Sequence, residues 1–422
     1  MSDPNDFVRE RSQGDLAAAA LRTTTAVRKR CGQLMDRARV GQSAWFTVDE
    51  GKLRGAAIEV AAATRRRYTN LRIPFHSRWR HFEAGGINRR AQLDKLLGDV
   101  PVQVRAHAMV DLAVISVLLD AGAGPDWKYT ESATGKVFTR SEGLAVASFH
   151  AFTAGLFSSD KLRPLQVDAE GLRALPVDHL AQAFQVSPGN PMVGLEGRAV
   201  LLRRLGEVMQ DRPEVFGSPA RPAGIFDSLV ADEGGIAHSA SVDAHDILSQ
   251  LLVSMSPIWP LGHSIGGVPL GDVWRHHAVR GEGASDGWVP FHKLSQWLTY
   301  SLLEPFAWNG FTVRGLDALT GLPEYRNGGL LMDSGVLTLK NPEHAGAVWQ
   351  PGDELIVEWR AMTVSLLDEL AVHVRKELKL DDEAFPLARM LEGGTWAAGR
   401  AHAQRLRGGL PPLTVSSDGT VF

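Results

Sequence analysis

Hydrophobic residues recur at helical spacing along most of the chain, and strand–helix alternation is absent, so a parallel sheet is not expected. Residues 14–40 put small and apolar side chains on one side and Arg and Asp on the other, which predicts a single helix. Asp49 stands where an N-cap belongs, ahead of Leu53, Ala57, Val60 and Ala61 at helical spacing. Further helices are expected at 89–119, 143–157, 169–184, 194–210, 222–231 and 242–256. Residues 353–379 give the clearest pattern, with Val364, Leu367, Ala371, Val374 and Leu378 along one face. A last helix is expected near 385–407. Segment 290–304 reads as a helix opened by Pro290 and closed by Pro305, with Phe291, Leu294, Leu298 and Leu302 as its buried stripe.

Polar stretches rich in Gly and Pro break these patterns. Residues 70–81 predict an ordered loop, 120–143 a long loop with room for a hairpin, and 185–193 a turn. Residues 258–288 and 318–335 read as long connections, and Val336–Lys340 as a short strand. Long loops inside a compact domain are uncommon and tend to carry function. The expected fold is mainly α, with long structured loops and a few short strands. The polar stretch 209–241 suggests an N-terminal subdomain, 1–210, and a C-terminal one, 211–422, joined as one integrated unit.

Composition narrows the function. A net charge of -3 offers no field that favours nucleic acid or an acidic membrane. No apolar run reaches the roughly 18 residues of a membrane span, and the N-terminus has no secretory core, so a cytoplasmic protein is expected. The lone Cys31 excludes an internal disulfide and Cys-rich zinc sites. It reads as a small buried hydrophobe, with a reactive thiol beside Arg28 and Arg30 as the alternative. Several Trp, among them Trp79, Trp274, Trp288 and Trp396, sit in polar strings where a plain core role is less natural.

Three stretches can carry chemistry. Lys293, Gln296, Trp297 and Tyr300 share a second face of the 290–304 helix. A lysine in a first turn suits a phosphate or carboxylate, whereas a solvated lysine is the plainer reading. Glu324, Arg326 and Asp333 lie in 318–335, where carboxylates beside a guanidinium serve as acid, base or cation stabiliser, or form a surface salt bridge. The string His76-Ser77-Arg78-Trp79-Arg80-His81 suits recognition of a polar ligand. The spacing of His76 and His81 does not suit a shared metal, and the adjacent His276 and His277 should point apart. No metalloprotease, nucleophile-elbow, phosphate-loop or dinucleotide motif is present. For GHSIGGVPLG, residues 262–271, a helix-hairpin-helix turn is one reading. EGGTWAAGR, with Trp396 and Arg400, reads first as close helix packing, and Asp418 sits in a terminal turn.

IPFHSRWRHFEAGG, VLLDAGAG, RSEGLA, NPMVGLEGR, VPFHKLSQWLTYSLLEP, LTGLPEYRNGG, EGGTWAAGR and SDGTVF together resemble the family of the fourth protein of the URC uracil-catabolism pathway, from about residue 20 to the end. A more distant resemblance is to the queuosine-salvage nucleotide N-glycosidases. It rests on Phe291–Leu298, which is similar to their F-Y-K-R-A-Q-I-L helix, and Leu319–Arg326, which is similar to their L-T-x-F-A-D-Y-R loop. That resemblance implies a helical core like that of helix-hairpin-helix DNA glycosylases and cleavage of a nucleoside 5'-monophosphate. Glu324 stands where those enzymes carry Asp, and Ser301 where they carry a second acid.

In the pathway, uracil becomes a ribonucleotide, its ring is opened, and urea is released later. The two resemblances together imply hydrolysis of a ribosylurea 5'-phosphate to urea and ribose 5-phosphate. Glu324 would stabilise the sugar cation and Asp333 is the second-carboxylate candidate. Lys293 and Arg326 would hold the phosphate, with His76, Arg78, Trp79 and His81 on the urea side. Gln296, Trp297, Trp396, Arg400 and Asp418 complete the expected substrate contacts. No metal or organic cofactor, nucleic acid or membrane is expected, and a homo-oligomer stays open. The competing readings are a metal-dependent amidohydrolase and a non-enzymatic scaffold of the same pathway.

Overall fold

The computed structural model describes residues 4–230, 241–259 and 263–416, with side chains described from residue 13 onward. The protein is mainly α, and among the described residues its short strands pair two by two. Two compact units interleave along the chain. One takes the described residues of Met1–His76, Leu261–Gln296 and Gly315–Ser416; the other takes those of Ser77–Pro260 and Trp297–Arg314. Neither follows a single cut of the chain, and the boundary falls inside the helix Lys293–Trp308.

In the first unit the long helix Glu354–Leu378 is the central element. Val357, Ala361 and Val364 pack with Val27, Cys31 and Leu34 of helix Thr24–Arg39, and with Trp274, Val289 and Phe291. The stretch expected as one helix over 14–40 is two, Pro4–Leu21 and Thr24–Arg39. Thr23 interrupts them because its hydroxyl caps the second, accepting from the Ala26 N–H at 3.1 Å. Cys31 is buried, and burial pushes its thiol well above the ordinary range, which rules against the reactive-thiol reading. Asp49 caps a short 3-10 turn, Glu50–Lys52, that runs into helix Leu53–Arg67, as its position predicts. The described part of 262–271, from residue 263 on, is not a helix-hairpin-helix turn: Ser264–Ile265 and Val268–Pro269 form a tight antiparallel hairpin. Its turn glycines, Gly266 and Gly267, both take positive φ.

The second unit is built from helices Val102–Leu118, Arg140–Thr153, Leu195–Asp211 and Ala244–Met255. The predicted hairpin of the 120–143 loop is present as Lys128–Thr130 against Val137–Thr139. Buried Asp111 knits three segments, accepting from the backbone N–H of Val167 (2.9 Å) and Ala223 (2.9 Å) and from Arg221 (2.7 Å). Among the described residues no helix is long and apolar enough to cross a membrane.

Candidate functional site

Pro290 does not open the lysine helix. It ends the strand Trp288–Pro290, paired antiparallel with Val273–Arg275, and a two-stranded ribbon tolerates its missing N–H. The chain then turns through His292 at φ 50, a left-handed conformation unusual for a side-chain-bearing residue. His292 is buried and makes a 2.9 Å bond to the Leu21 carbonyl, and burial lowers its pKa. The helix begins at Lys293, whose backbone N–H donates to Asp272 at 2.9 Å. Arg360 grips the same carboxylate with both nitrogens, at 2.8 and 2.7 Å, and the Trp274 indole adds a third donor at 2.7 Å. Burial opposes ionisation of Asp272, but the Arg360 charge and these donors hold its carboxyl below the usual range. The anion expected at this helix start is therefore supplied by the protein itself, and the Lys293 side chain remains half-buried beside it.

Residues 325–333 are not loop but helix, Tyr325–Asp333. Glu324 is its N-cap: the carboxylate accepts from the N–H of Arg326 and of Asn327, both at 2.7 Å. Two features hid this helix. Glutamate is not among the usual caps, and Gly328–Gly329 reads as a breaker. The glycines are there for close packing, since a Cβ at Gly328 would sit 2.7 Å from the Trp359 ring. Gly399, on helix Trp396–Arg407, leaves room for the Arg326 carbonyl in the same way, which bears out the packing reading of EGGTWAAGR.

The Glu324 loop is held from two sides. Gln296, fully buried, donates to the Thr320 hydroxyl at 2.6 Å and accepts from the Thr320 N–H at 3.3 Å. Arg360 reaches the Pro323 carbonyl at 3.4 Å. Gln296 thus positions the loop. Burial raises the pKa of Glu324, opposed by its two backbone donors and by the charges of Lys293 and Arg326.

Arg326 is 3% exposed, yet its Nε and Nη1 have no hydrogen-bond partner among the described residues. Aromatic rings attend it instead, with Tyr325 at 4.8 Å and Trp396 at 5.9 Å from the guanidinium carbon. Arg400, which is exposed, lies 5.3 Å from the Trp396 ring. A buried guanidinium short of acceptors is costly, and an anion from outside would supply them.

Asp333 does not join Glu324. It closes the nine-residue helix that Glu324 opens, about 13 Å along the axis at 1.5 Å per residue. Its carboxylate is buried against Arg407 at 2.6 Å. Asp418 lies outside the described residues.

His76 faces Glu392, whose carboxylate takes His76 Nδ1 at 3.0 Å, Arg67 at 2.7 Å and the Tyr68 hydroxyl at 2.9 Å. Burial opposes ionisation of Glu392, but His76 and Arg67 win and lower its pKa. Glu392 sits in a π-helical turn, Leu391–Thr395, a feature that often marks functional positions. The π turn leaves no mark in the sequence beyond Gly393–Gly394, which pack against Thr64 and Val60.

In the second unit Arg78 and His81 come together. Arg78 Nη1 meets His81 Nδ1 at 3.1 Å and Asp120 at 2.6 Å. The His81 ring lies 5.6 Å from Trp297. Trp79 is core, 1% exposed, with its indole N–H on the Ser301 carbonyl at 3.1 Å. Ser301, where the distant resemblance places an acid, accepts from the Arg78 backbone N–H at 2.9 Å and donates to the Trp297 carbonyl at 2.8 Å. It anchors the start of the short helix Arg78–Phe82.

His276 and His277 do not point apart. Their rings stack at 5.0 Å, and with Glu354 they place three ligand atoms within 4.8 Å of one another. Among the described residues this is a group that can hold a metal ion. However, the Ala278 N–H already bonds His276 Nδ1 at 3.1 Å, and His277 Nδ1 is 2.7 Å from Glu354.

Comparison with known proteins shows the family. "Protein urg3" of Schizosaccharomyces pombe is 44% identical over 358 residues, covering 83% of this chain and 84% of that protein. "Uracil catabolism protein 4" of Lachancea kluyveri is 40% identical over 378 residues, covering 83% and 85%. The family model described as "Protein of unknown function (DUF1688)" matches residues 20–422. With nearly its whole length matched, the chain belongs to the DUF1688 family, the family of uracil-catabolism relatives that its sequence motifs resemble.

Proposed function

We propose that the protein acts in uracil catabolism as an N-glycoside hydrolase, cleaving a ribosylurea 5'-phosphate to urea and ribose 5-phosphate. The name of one relative, "Uracil catabolism protein 4", supports the pathway. The observation that carries the reaction is the half-buried Glu324 carboxyl, under the charges of Lys293 and Arg326, with Arg326 short of acceptors among the described residues.

The C1–N bond breaks with its electron pair going to the urea nitrogen, and the sugar passes through an oxocarbenium-like state. Glu324, as carboxylate, stabilises that cation and takes a proton from the attacking water. The water oxygen bonds to C1, and the proton ends on urea. A raised pKa suits the base role, because it brings Glu324 nearer the working pH. Lys293 and Arg326 hold the phosphate, with Trp396 beside Arg326 and Arg400 against the Trp396 ring. Asp333 is left out of the chemistry by its pairing with Arg407. The test is release of urea from ribosylurea 5'-phosphate by the purified protein; absence of turnover would contradict the substrate.

A metal-dependent amidohydrolase is the second reading, favoured by the group His276, His277 and Glu354. Elemental analysis separates the two, with stoichiometric zinc or manganese supporting the second.

A further inference from the structure

Arg326 and Asn327 lie in the first turn of helix Tyr325–Asp333, where polar side chains are ordinarily solvated, yet they are 3% and 1% exposed. Burying a polar group is costly unless its hydrogen bonds are made. The Asn327 amide makes one of them. Its Nδ2 donates to the Leu322 carbonyl at 3.1 Å, just ahead of Glu324 in the chain. Its Oδ1 is buried with no partner among the described residues, as are Nε and Nη1 of Arg326.

The Leu322 bond fixes which end of the amide is open. Turning the amide over would set Oδ1 against the Leu322 carbonyl, acceptor facing acceptor. The open end is therefore the oxygen, and it only accepts. The Asn327 N–H rests on Glu324 Oε1 at 2.7 Å, so Oδ1 lies within one short side chain of that carboxylate. The charges of Lys293 and Arg326 bear on Glu324, which disfavours a cationic donor there. A neutral hydroxyl is the donor that remains. One helical turn thus offers donors for an anion on Arg326 and an acceptor for a hydroxyl on Asn327, the complement of a sugar phosphate.

We propose that Asn327 Oδ1 accepts from the 2-hydroxyl of the sugar ring whose C1 faces Glu324, and so selects ribose over 2-deoxyribose. The 2-hydroxyl sits on the carbon next to C1, and hydrogen bonds to it strengthen as the ring takes on positive charge. This deepens the hydrolase reading, because placing C1 over Glu324 rests on it.

The full chain is titrated by calorimetry with 1,4-anhydroribitol 5-phosphate and with its 2-deoxy counterpart, rings that have no leaving group. Wild type binds the 2-hydroxylated ring about tenfold tighter. In Asn327→Ala the two ligands bind within about twofold of each other, and the 2-deoxy ring binds as it does to wild type. A merely structural role for Asn327 would weaken both ligands alike. Equal affinities in wild type, a preference kept in Asn327→Ala, or binding of neither ring would each overturn the assignment. The wild-type comparison decides the matter alone should Asn327→Ala not fold. Urea release from ribosylurea 5'-phosphate is measured on the same protein. Turnover with equal affinities sinks the Asn327 assignment and leaves the hydrolysis standing. A preference for the 2-hydroxylated ring without turnover does the reverse.

Discussion

The Trp79 indole N–H donates at 3.1 Å to the Ser301 carbonyl, the acceptor that Pro305 leaves without its helical donor. Pro305 lies four residues after Ser301 and has no N–H to give. This is why the helix Lys293–Trp308 runs through a proline that, by the usual rule, should end it. Trp79→Phe leaves that buried carbonyl unpaired and costs about 1–3 kcal/mol in denaturant unfolding. Pro305→Ala returns an N–H to the same carbonyl. In that background Trp79→Phe costs less, and equal costs in both backgrounds would refute the relationship.

Glu324 caps its helix and is the base of the proposed reaction, and two substitutions separate the two roles. Glu324→Ala loses the cap and about 1 kcal/mol of stability. Glu324→Gln keeps one of the two cap bonds and is destabilised less than Glu324→Ala, while kcat falls about 100- to 10,000-fold.

The pH dependence has a definite sign. Burial raises the Glu324 pKa from an ordinary value of 4.5, so activity that needs the carboxylate is lost as pH falls through the raised value. For stability, the unfolded chain ionises first as pH rises. Wild type therefore loses stability relative to Glu324→Gln between the ordinary and the raised value. A flat difference across that window, in pH-dependent urea melts, would remove the burial argument.

Arg326→Met removes a buried charge two of whose nitrogens lack acceptors among the described residues. The ligand-free variant is expected to gain about 1–3 kcal/mol. Inorganic phosphate raises the melting temperature of wild type, and this rise disappears in Arg326→Met. A variant that is destabilised yet still responds to phosphate would place the anion elsewhere.

The sequence made the long elements legible and hid the irregular ones. Helix Glu354–Leu378 matches its predicted bounds within a residue because Val364, Leu367, Ala371, Val374 and Leu378 keep one apolar face over its second half. Helix Tyr325–Asp333 was hidden by an atypical cap and two packing glycines, whose need for space against Trp359 is a tertiary fact. Lys293 at a helix start was legible, but for the wrong reason: Asp272, distant in sequence, starts the helix, and no local pattern connects them. The same holds for Glu392 and His76, for the stacking of His276 on His277, and for Asp120 beside Arg78. Interleaved units cannot be read from composition along the chain, because their boundary falls inside an unbroken helix.

The Asp272–Arg360 pair sets the start of the lysine helix and supports the Glu324 loop through Pro323. Asp272→Asn leaves the Arg360 charge buried without its counterion and is expected to cost about 3–5 kcal/mol in denaturant unfolding. A cost below about 1 kcal/mol, the range of an exposed pair, would contradict the burial assigned to it.

The central claim is tested most directly by running the reaction on ribosylurea 5'-phosphate in water enriched in oxygen-18 and locating the label. Cleavage of the C1–N bond puts the heavy oxygen on C1 of ribose 5-phosphate and leaves the released urea unlabelled. The account predicts that result, with urea and ribose 5-phosphate in equal amounts and both abolished in Glu324→Gln. Label in a carbamate or carbonate product, with the ribose–nitrogen bond intact, would contradict it and point to the amidohydrolase.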